Sequence, residues 1–161
     1  MAGDARTLTN LISGQYTAYA LLASRTVGDQ PGRAHRRYLT DWKVLPDGML
    51  FGPYKYNSAF RSHPNEYSRS FATNAFPFPN SKSALFPLPY IAFNSQGQLI
   101  PKPGETIPRD EILPLTRGSI FHPRDERGAL LLAPADVQLT SPGGATNAFQ
   151  FVRINWLTGR A

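Results

Sequence analysis

The sequence predicts an α+β fold in which one long N-terminal helix packs on antiparallel β-sheet. Three observations predict it. Residues 5–28 have helical periodicity, the rest of the chain has short aromatic and β-branched runs, and Pro and Gly separate those runs. Segregation of helix and strands along the chain is typical of the α+β class. We therefore expect a single domain over residues 1–161, with the helix at about 5–28 and a β-rich part at about 33–161.

The predicted helix carries a broad apolar stripe. Its members recur at steps of three and four residues, and they are Leu8, Leu11, Ile12, Tyr19, Leu22 and Ala23. Gly28 follows, where a left-handed C-terminal cap favours glycine. Gly14 in the middle costs about 1 kcal/mol relative to alanine, so the helix needs packing partners to persist.

Short strands are expected after the helix, because β-branched and aromatic residues alternate between turn formers. The predicted strands cover residues 37–44, 49–56, 67–73, 88–94, 98–100, 119–122, 129–133, 137–140 and 148–156. Residues 74–89 contain four prolines, which cannot donate hydrogen bonds inside a sheet. That segment is therefore predicted to be an extended loop on the edge of the sheet.

The composition excludes several classes of site. Hydrophobic residues make up 41% of the chain and charged residues 17%, so the composition is that of a folded domain rather than a disordered one. The chain has no cysteine, which excludes disulfides, thiolate nucleophiles and Cys-ligated metals. The net charge of +6 favours an anionic partner. The basic residues are scattered, however, as on an ordinary soluble surface.

The sequence shows no arrangement typical of catalysis. His35, His63 and His122 lie far apart and lack metal-ligand spacing. The triplet of Arg109, Asp110 and Glu111 could supply carboxylates for acid–base chemistry, but mixed charges beside prolines are more typical of a solvated turn. We therefore predict no catalytic residue, no metal and no cofactor.

One local group combines aromatic and basic side chains. Tyr54, Lys55, Tyr56, Phe60 and Arg61 could form a stacking platform for single-stranded nucleic acid if they shared a sheet face. Packing in the core or at the sheet edge is the alternative use of these aromatic rings, and the sequence favours it.

Three stretches follow one another in a distinctive order. The first is the predicted helix, with LISGQYTAYALLASRTVG at residues 11–28, and the second is WKVLPDGMLF at 42–51. The third is IAFNSQGQL at 91–99, and VRINWLTGR at 152–160 follows it near the end of the chain. In this order they resemble the GspH/FimT family of type II secretion pseudopilins and type IV minor pilins, in which a helix precedes an LP-x-G strand, a hairpin and a closing T-G-R.

The resemblance implies a pilin-like fold and a structural role. The subunit would sit in the bacterial inner membrane through a hydrophobic helix, expected ahead of the first residue, with this domain in the periplasm or at the cell surface. Its partners would be other pilin or pseudopilin subunits and the inner-membrane assembly machinery. The protein would not be an enzyme, and no small-molecule substrate is expected. Residues 57–88 and 101–127 have no counterpart in the resemblance.

Subunit contacts would run along the predicted helix. The candidate interface residues are Leu8, Leu11, Ile12, Gln15 and Tyr19. An exposed apolar patch on an isolated domain marks an interaction surface. We therefore expect Leu8 and Leu11 to be more exposed than Tyr19 and Leu22.

A nucleic-acid partner is the alternative that the resemblance leaves open. Some minor pilins of the FimT type act as DNA receptors through a basic C-terminal tail. Arg153, Gly159 and Arg160 are similar to the start of such a tail. Binding through phosphates would weaken steeply with salt.

Overall fold

The computed structural model describes residues 5–25, 28–30, 35–56, 69–131, 133–140 and 149–161. Within these ranges one short helix precedes short antiparallel strands, and no helix there is both long and apolar enough to span a lipid bilayer. The elements are α1 (Ala5–Ser13), β1 (Ala18–Tyr19), β2 (Leu22–Ala23), β3 (Arg37–Tyr38), β4 (Lys43–Val44), β5 (Met49–Phe51), a 3₁₀ turn (Pro53–Lys55), β6 (Ala72–Pro77), β7 (Leu85–Tyr90), β8 (Glu111–Phe121), β9 (Asp136–Leu139) and β10 (Phe149–Ile154).

The predicted long helix over residues 5–28, and with it the pilin-like α+β class, is wrong. The helix ends at Ser13, and the next residue is Gly14. Glycine is the poorest helix former apart from proline. Tyr16 then adopts a left-handed backbone with φ of 64°. Burial of its side chain offsets the strain of this conformation. The apolar residues beyond this turn belong to β1 and β2, since Tyr19 and Leu22 are in strands.

Small two-stranded sheets account for most of the pairing. β1 pairs with β4 and β2 pairs with β3, both antiparallel. β6 pairs with β7 in another two-stranded sheet, so the prediction of an irregular loop over residues 74–89 is also wrong. The prolines of these strands are tolerated because each strand has a partner on one side only, which leaves positions where no N–H donor is required.

The largest sheet has β8 at its centre. Its order is β10–β8–β5, and β9 also pairs with β8. β10 runs antiparallel to β8 from the pair Phe149 and Thr116 to the pair Ile154 and Glu111. β5 pairs with residues 115–117 of β8 on its other side. β10 therefore lies within the last predicted strand, residues 148–156, and β9 lies within one residue of its predicted bounds.

A proline in the central strand is accommodated by a glycine. The backbone N–H of Gly52 donates to the carbonyl oxygen of Pro114 over 2.8 Å, one residue past the end of β5 at Phe51. The N–H that Pro114 lacks would point toward Gly52 as well. The ladder between β5 and β8 has already ended at Phe51, so no ladder bond is lost there. A Cβ on Gly52 would lie 2.7 Å from the Cγ atom of Pro114. Glycine therefore allows the backbone to pass the proline ring.

The chain divides into two compact units. Unit 1 comprises Met1–Asp47, Ala75–Pro87 and Ile120–Asp136, and unit 2 comprises Gly48–Asn74, Leu88–Ser119 and Val137–Ala161.

Aromatic packing characterises unit 1. The Trp42 and Phe78 rings meet edge to face with centroids 5.1 Å apart, and the indole N–H donates to the carbonyl oxygen of Pro79 over 2.9 Å. The Tyr38 hydroxyl donates to the carbonyl oxygen of Pro77 over 2.6 Å. Each polar end of these rings thus has a backbone acceptor, as a buried aromatic requires.

Unit 2 contains the most completely buried side chains of the described residues. Leu50 and Pro114 are buried in its sheet, and so is a lysine, Lys55. A fully buried lysine is rare unless its charge is paired. Unit 2 is therefore the part of the molecule in which side-chain chemistry needs explanation.

Candidate functional site

A buried charge cluster, which consists of Lys55, Glu111 and Lys102, lies in unit 2. Lys55 ends the 3₁₀ turn and Glu111 begins β8, so two elements 56 residues apart in sequence bring the amine and the carboxylate together. Lys55 Nζ donates to Glu111 Oε1, and the two side chains are only 1% and 5% exposed. Lys102 Nζ lies 2.8 Å from the other carboxylate oxygen, Oε2. Both oxygens of Glu111 therefore accept from ammonium groups.

Aromatic and backbone groups complete the surroundings of the cluster. Lys55 Nζ lies 4.8 Å from the centroid of the Phe71 ring, close enough for a cation–π contact. Phe71 is held in place because its backbone N–H donates to the carbonyl oxygen of Lys55 over 2.8 Å. Lys102 Nζ also donates to the carbonyl oxygen of Ser70 over 2.8 Å. These contacts fix the three charged groups and shield the amine of Lys55.

The environment changes the protonation of the buried lysine. Burial lowers the pKa of Lys55 to about 8, against the opposing pull of the Glu111 carboxylate. The positive charges of Lys102 and Arg69 lower this pKa further. Since an exposed lysine has a pKa near 10.4, a much larger fraction of the Lys55 amine is neutral near pH 7. A neutral amine is the nucleophilic form.

An outer ion pair borders the cluster. The Arg69 guanidinium holds the Glu105 carboxylate through Nε at 3.0 Å and through Nη2 at 2.5 Å. The backbone N–H of Lys102 donates to the same carboxylate over 3.3 Å. Burial alone would raise the pKa of Glu105, but the Arg69 bonds outweigh burial and the pKa is lowered. Arg69 and Glu105 thus fix the position of the chain at Lys102.

The cavity beside the cluster is small. It has a volume of about 30 Å³ and is lined in part by Arg69, Lys102, Arg109 and Glu111. A cavity needs roughly 10–15 Å³ to hold one water molecule, whereas pockets for drug-sized ligands occupy about 300–1,000 Å³. A second depression of about 330 Å³, lined by residues 70–73 among others, is open to solvent. The cavity lined by Glu111 therefore suits water, whereas the open depression, which Lys102 and Glu105 also line, falls in the size range of ligand pockets.

A second structured feature of unit 2 is the closing segment, residues 152–160. The Asp110 carboxylate accepts the backbone N–H of Trp156 over 2.9 Å and the Nε–H of Arg153 over 2.7 Å. The Trp156 bond and then the Arg153 bond lower the pKa of Asp110. Asn155 closes a turn, because its side-chain oxygen accepts the backbone N–H groups of Leu157 and Thr158, each over 3.1 Å. The pairing of β10 with β8 and the Asp110 carboxylate therefore both fix the position of the segment.

The closing segment packs against the hairpin of residues 91–99. Phe93 and Leu99 pair across this hairpin, and the N–H of Leu99 donates to the carbonyl oxygen of Trp156 over 2.9 Å. A Cβ on Gly159 would stand only 2.0 Å from the carbonyl oxygen of Gly97. Two glycine backbones thus touch where no side chain could fit. The hairpin of residues 91–99 and the closing segment therefore form one packed structure.

The predicted interface residues have mixed exposure. Ile12 is buried, Leu11 is half-buried and Gln15 is exposed, while the side chain of Leu8 lies outside the described residues. Tyr19 is 43% exposed. The expectation that Leu11 would be more exposed than Tyr19 is therefore wrong, because the helix ends at Ser13 and Tyr19 lies on a strand.

The predicted nucleic-acid residues come together in the closing segment. Arg153 is 74% exposed and its guanidinium is paired with Asp110, which neutralises its charge locally. Arg160 is exposed, and the backbone of Gly159 has the left-handed φ of 63°. The segment therefore presents one exposed arginine paired with a carboxylate and a second exposed arginine near the end of the chain.

Sequence reasoning missed the buried charge cluster. Glu111 was expected in a solvated turn, and that interpretation is wrong since its side chain is buried. Packing was the favoured use of the group around Tyr54, but burial of the Lys55 amine itself was not predicted. Phe60 and Arg61, the other members of that platform, lie outside the described residues, as does His63. No local spacing could have indicated the pair, because its members are 56 residues apart. No group of three or more potential metal ligands occurs among the residues that the structure describes.

Comparison with known proteins adds no relative. The chain matches no family model, no curated protein and no solved structure.

Proposed function

We propose that the chain is a structural subunit of a bacterial surface filament, as a minor subunit of a type II secretion pseudopilus or of a type IV pilus. In this role the protein catalyses nothing. Its partners are other pilin or pseudopilin subunits and the inner-membrane assembly machinery. The domain is exposed in the periplasm or at the cell surface.

The packing of the closing segment on the hairpin carries the proposal. The order of two segments, residues 91–99 and 152–160, resembles that of the GspH/FimT family. In the fold these two segments contact each other through Gly97 and Gly159. The Leu99 to Trp156 hydrogen bond joins the same two segments. Motifs that are distant in sequence and adjacent in space support a common structural origin better than either motif does alone.

The character of the candidate site agrees with a structural role. Lys55 and Glu111 are buried, and the cavity beside them has a volume of about 30 Å³, well below that of a pocket for a drug-sized ligand. Because α1 ends at Ser13, a long helix does not supply the subunit contacts. Subunit contacts are assigned to α1 and to the exposed side chains that follow it, Gln15 and Tyr19.

Filament fractionation tests the proposal. The native gene would carry an epitope tag in its own bacterium, and filaments would be sheared from the cells and separated from membranes. We expect the protein in the filament fraction and its absence after deletion of the major subunit. Exclusive recovery in the cytoplasm, or recovery independent of the major subunit, would contradict the proposal.

Site-specific cross-linking then tests the assigned surface. The chain has no cysteine, so a single introduced thiol gives an unambiguous adduct. Gln15→Cys should cross-link to another filament subunit, while Glu126→Cys, exposed in a turn of unit 1, serves as the matched control. Tyr19→Glu should leave the Tm unchanged within error and reduce incorporation into filaments several-fold. Equal adduct yields at both positions would remove the assignment of α1 and its neighbours as the interface.

A further inference from the structure

The buried charge cluster places a nucleophile against an electrophile away from bulk solvent. Lys55 Nζ is in hydrogen-bond contact with Glu111 Oε1, so the amine nitrogen stands close to the carboxyl carbon. Lys102 donates to Oε2 of the same carboxylate over 2.8 Å. The cluster thus contains an amine, a carboxyl group and a cationic proton donor, and these three groups are sufficient for amide formation.

A permanent ion pair at this position is energetically poor. Removing an ammonium and a carboxylate from water carries a desolvation cost, which their mutual attraction repays only in part. A neutral amide would remove both charges from the interior and leave Lys102, which has access to solvent with its side chain 16% exposed. Burial therefore favours the condensed product over the separated ions.

We propose that Lys55 and Glu111 become joined by an intramolecular isopeptide bond, which forms between Nζ of Lys55 and Cδ of Glu111 after the chain folds. The proposal is independent of the filament function. The bond would connect the 3₁₀ turn to β8, and so close a covalent loop across unit 2 between residues 55 and 111.

The reaction balances with the groups present. The neutral amine of Lys55 attacks Cδ of Glu111, and Lys102 donates a proton to carboxylate oxygen Oε2. The Nζ–Cδ bond forms, one Cδ–O bond breaks, and that oxygen leaves as water with one proton from Nζ and one from Lys102. Lys102 then regains a proton from solvent. No oxidant, reductant or cofactor is consumed.

Proximity makes the condensation favourable although free amines and carboxylates do not condense in water. Well-oriented intramolecular reactions reach effective molarities of about 10⁵–10⁸ M. The Phe71 ring, 4.8 Å from Nζ, covers the amine and limits access of the water that would reverse the reaction. The lowered pKa of Lys55 increases the fraction of amine in its nucleophilic form. Orientation and exclusion of water both come from the fold, so the unfolded chain should not react.

Intact mass measurement on the purified protein tests the proposal. We expect a mass lower than that of the sequence by one water, about 18 Da. Digestion should give a branched peptide in which tandem mass spectrometry finds Lys55 linked to Glu111. A full sequence mass in the folded protein, or a linear peptide that contains free Lys55, would overturn the proposal.

Two controls separate this bond from other losses of water. A succinimide at Asp47 and Gly48 would also remove one water, but it is cleaved by hydroxylamine and maps to a linear peptide. Lys55→Arg keeps a cation at the site and cannot form the bond, so its mass should equal that of its sequence. Loss of water that persists in Lys55→Arg would contradict the proposal.

A third variant tests the proton donor. Lys102→Gln should still present the amine to Glu111 but should accumulate the unlinked form at early times after synthesis, at least several-fold more than the wild type. Circular dichroism would establish that this variant folds. Linkage as fast as in the wild type would overturn the role assigned to Lys102.

Discussion

Two hairpins in the molecule have the same local construction and different surroundings. They turn at Gly97 in unit 2 and at Gly128 in unit 1, with φ of 82° and 80°. In the first, Asn94 Oδ1 accepts the backbone N–H groups two and four residues ahead, both over 2.9 Å. In the second, Asp125 Oδ1 does the same over 2.9 and 2.8 Å. Short-range chemistry alone therefore builds both turns.

The surroundings decide what each hairpin contributes. The hairpin of Gly97 is packed against the closing segment, and its Leu99 is only 8% exposed. A Cβ on Gly128 would meet no described atom within 4 Å, and the residues around it are exposed. The comparison teaches that the turn signal is local, whereas burial of a turn depends on a distant segment with a fitting surface.

Gly159→Ala should have the largest effect. The new Cβ would stand 2.0 Å from the carbonyl oxygen of Gly97, at a backbone φ of 63°, so the two segments must separate. We expect the free energy of unfolding to fall by about 3 kcal/mol, measured by urea denaturation.

The matched control for that prediction is Gly128→Ala. It has the same kind of backbone with open space around it, and should cost only the left-handed penalty of about 1 kcal/mol. Equal losses for the two variants would show that the contact between Gly97 and Gly159 does not contribute.

Asp110→Asn should weaken the attachment of the closing segment by about 1 kcal/mol at neutral pH, since the charge-assisted bonds to Arg153 and Trp156 become neutral. The pKa of Asp110 is lowered in the fold, first by the Trp156 bond. Its contribution is therefore present above the unfolded pKa of about 3.9 and is lost as the pH falls through the folded pKa.

Urea unfolding at several pH values measures this contribution. The wild type should lose more stability than Asp110→Asn as the pH is lowered below 4. Glu105, whose pKa is also lowered, contributes equally to both proteins and so cancels in the difference. Parallel pH profiles for the two proteins would contradict the role given to Asp110.

Asn94→Ala and Asp125→Ala remove the same two side-chain-to-backbone bonds from the two hairpins, and Asn94→Ala also removes the bond from its Nδ2 to Oε1 of Gln98. Asn94→Ala should cost about 1 kcal/mol, because loosening this turn also disturbs the contacts of Gly97 and Leu99 with the closing segment. Asp125→Ala should cost less than about 0.5 kcal/mol, since water replaces the lost bonds in an exposed turn. The opposite ranking in thermal unfolding would show that packing does not amplify the loss.

DNA binding should show the smallest effect. Arg153 is paired with Asp110, so Arg160 is left as the second cation of the predicted tail. We expect little or no shift of duplex DNA at low ionic strength, and no difference between the wild type and Arg160→Ala. An affinity that falls with salt at a slope well beyond the value of about −0.9 expected for one phosphate would instead support the DNA-receptor alternative.

The sequence predicts turns and clear strand alternation well, and it predicts long-range pairing poorly. β10 follows from the aromatic and β-branched residues Phe149, Phe151, Val152 and Ile154, because the preference of such residues for strands is local. β8 was predicted only in part because Pro114 breaks the sequence rule for an interior strand, and its tolerance depends on Gly52, sixty-two positions earlier in the chain. The long helix was predicted wrongly, since apolar steps over residues 18–23 suit a strand as well as a helix.

The candidate site was less predictable than the fold. A lysine among tyrosines and a glutamate among mixed charges are each ordinary surface patterns, and only the fold brings Lys55 to Glu111. The closing segment was different. Its glycine and arginine were noted for their resemblance, and the fold gives Gly159 a steric reason for being glycine.

Native-state hydrogen exchange tests most directly whether packing by the closing segment distinguishes the two hairpins. The amides of Ile100 and Leu131 make equivalent cross-hairpin bonds, to the carbonyl oxygens of Ala92 and Pro123, each over 2.9 Å. Identical bonds with different packing should open with different free energies. We predict that Ile100 exchanges at least about tenfold more slowly than Leu131, a difference of about 1.4 kcal/mol, and that Gly159→Ala removes the difference. Equal exchange rates in the wild type would contradict the account.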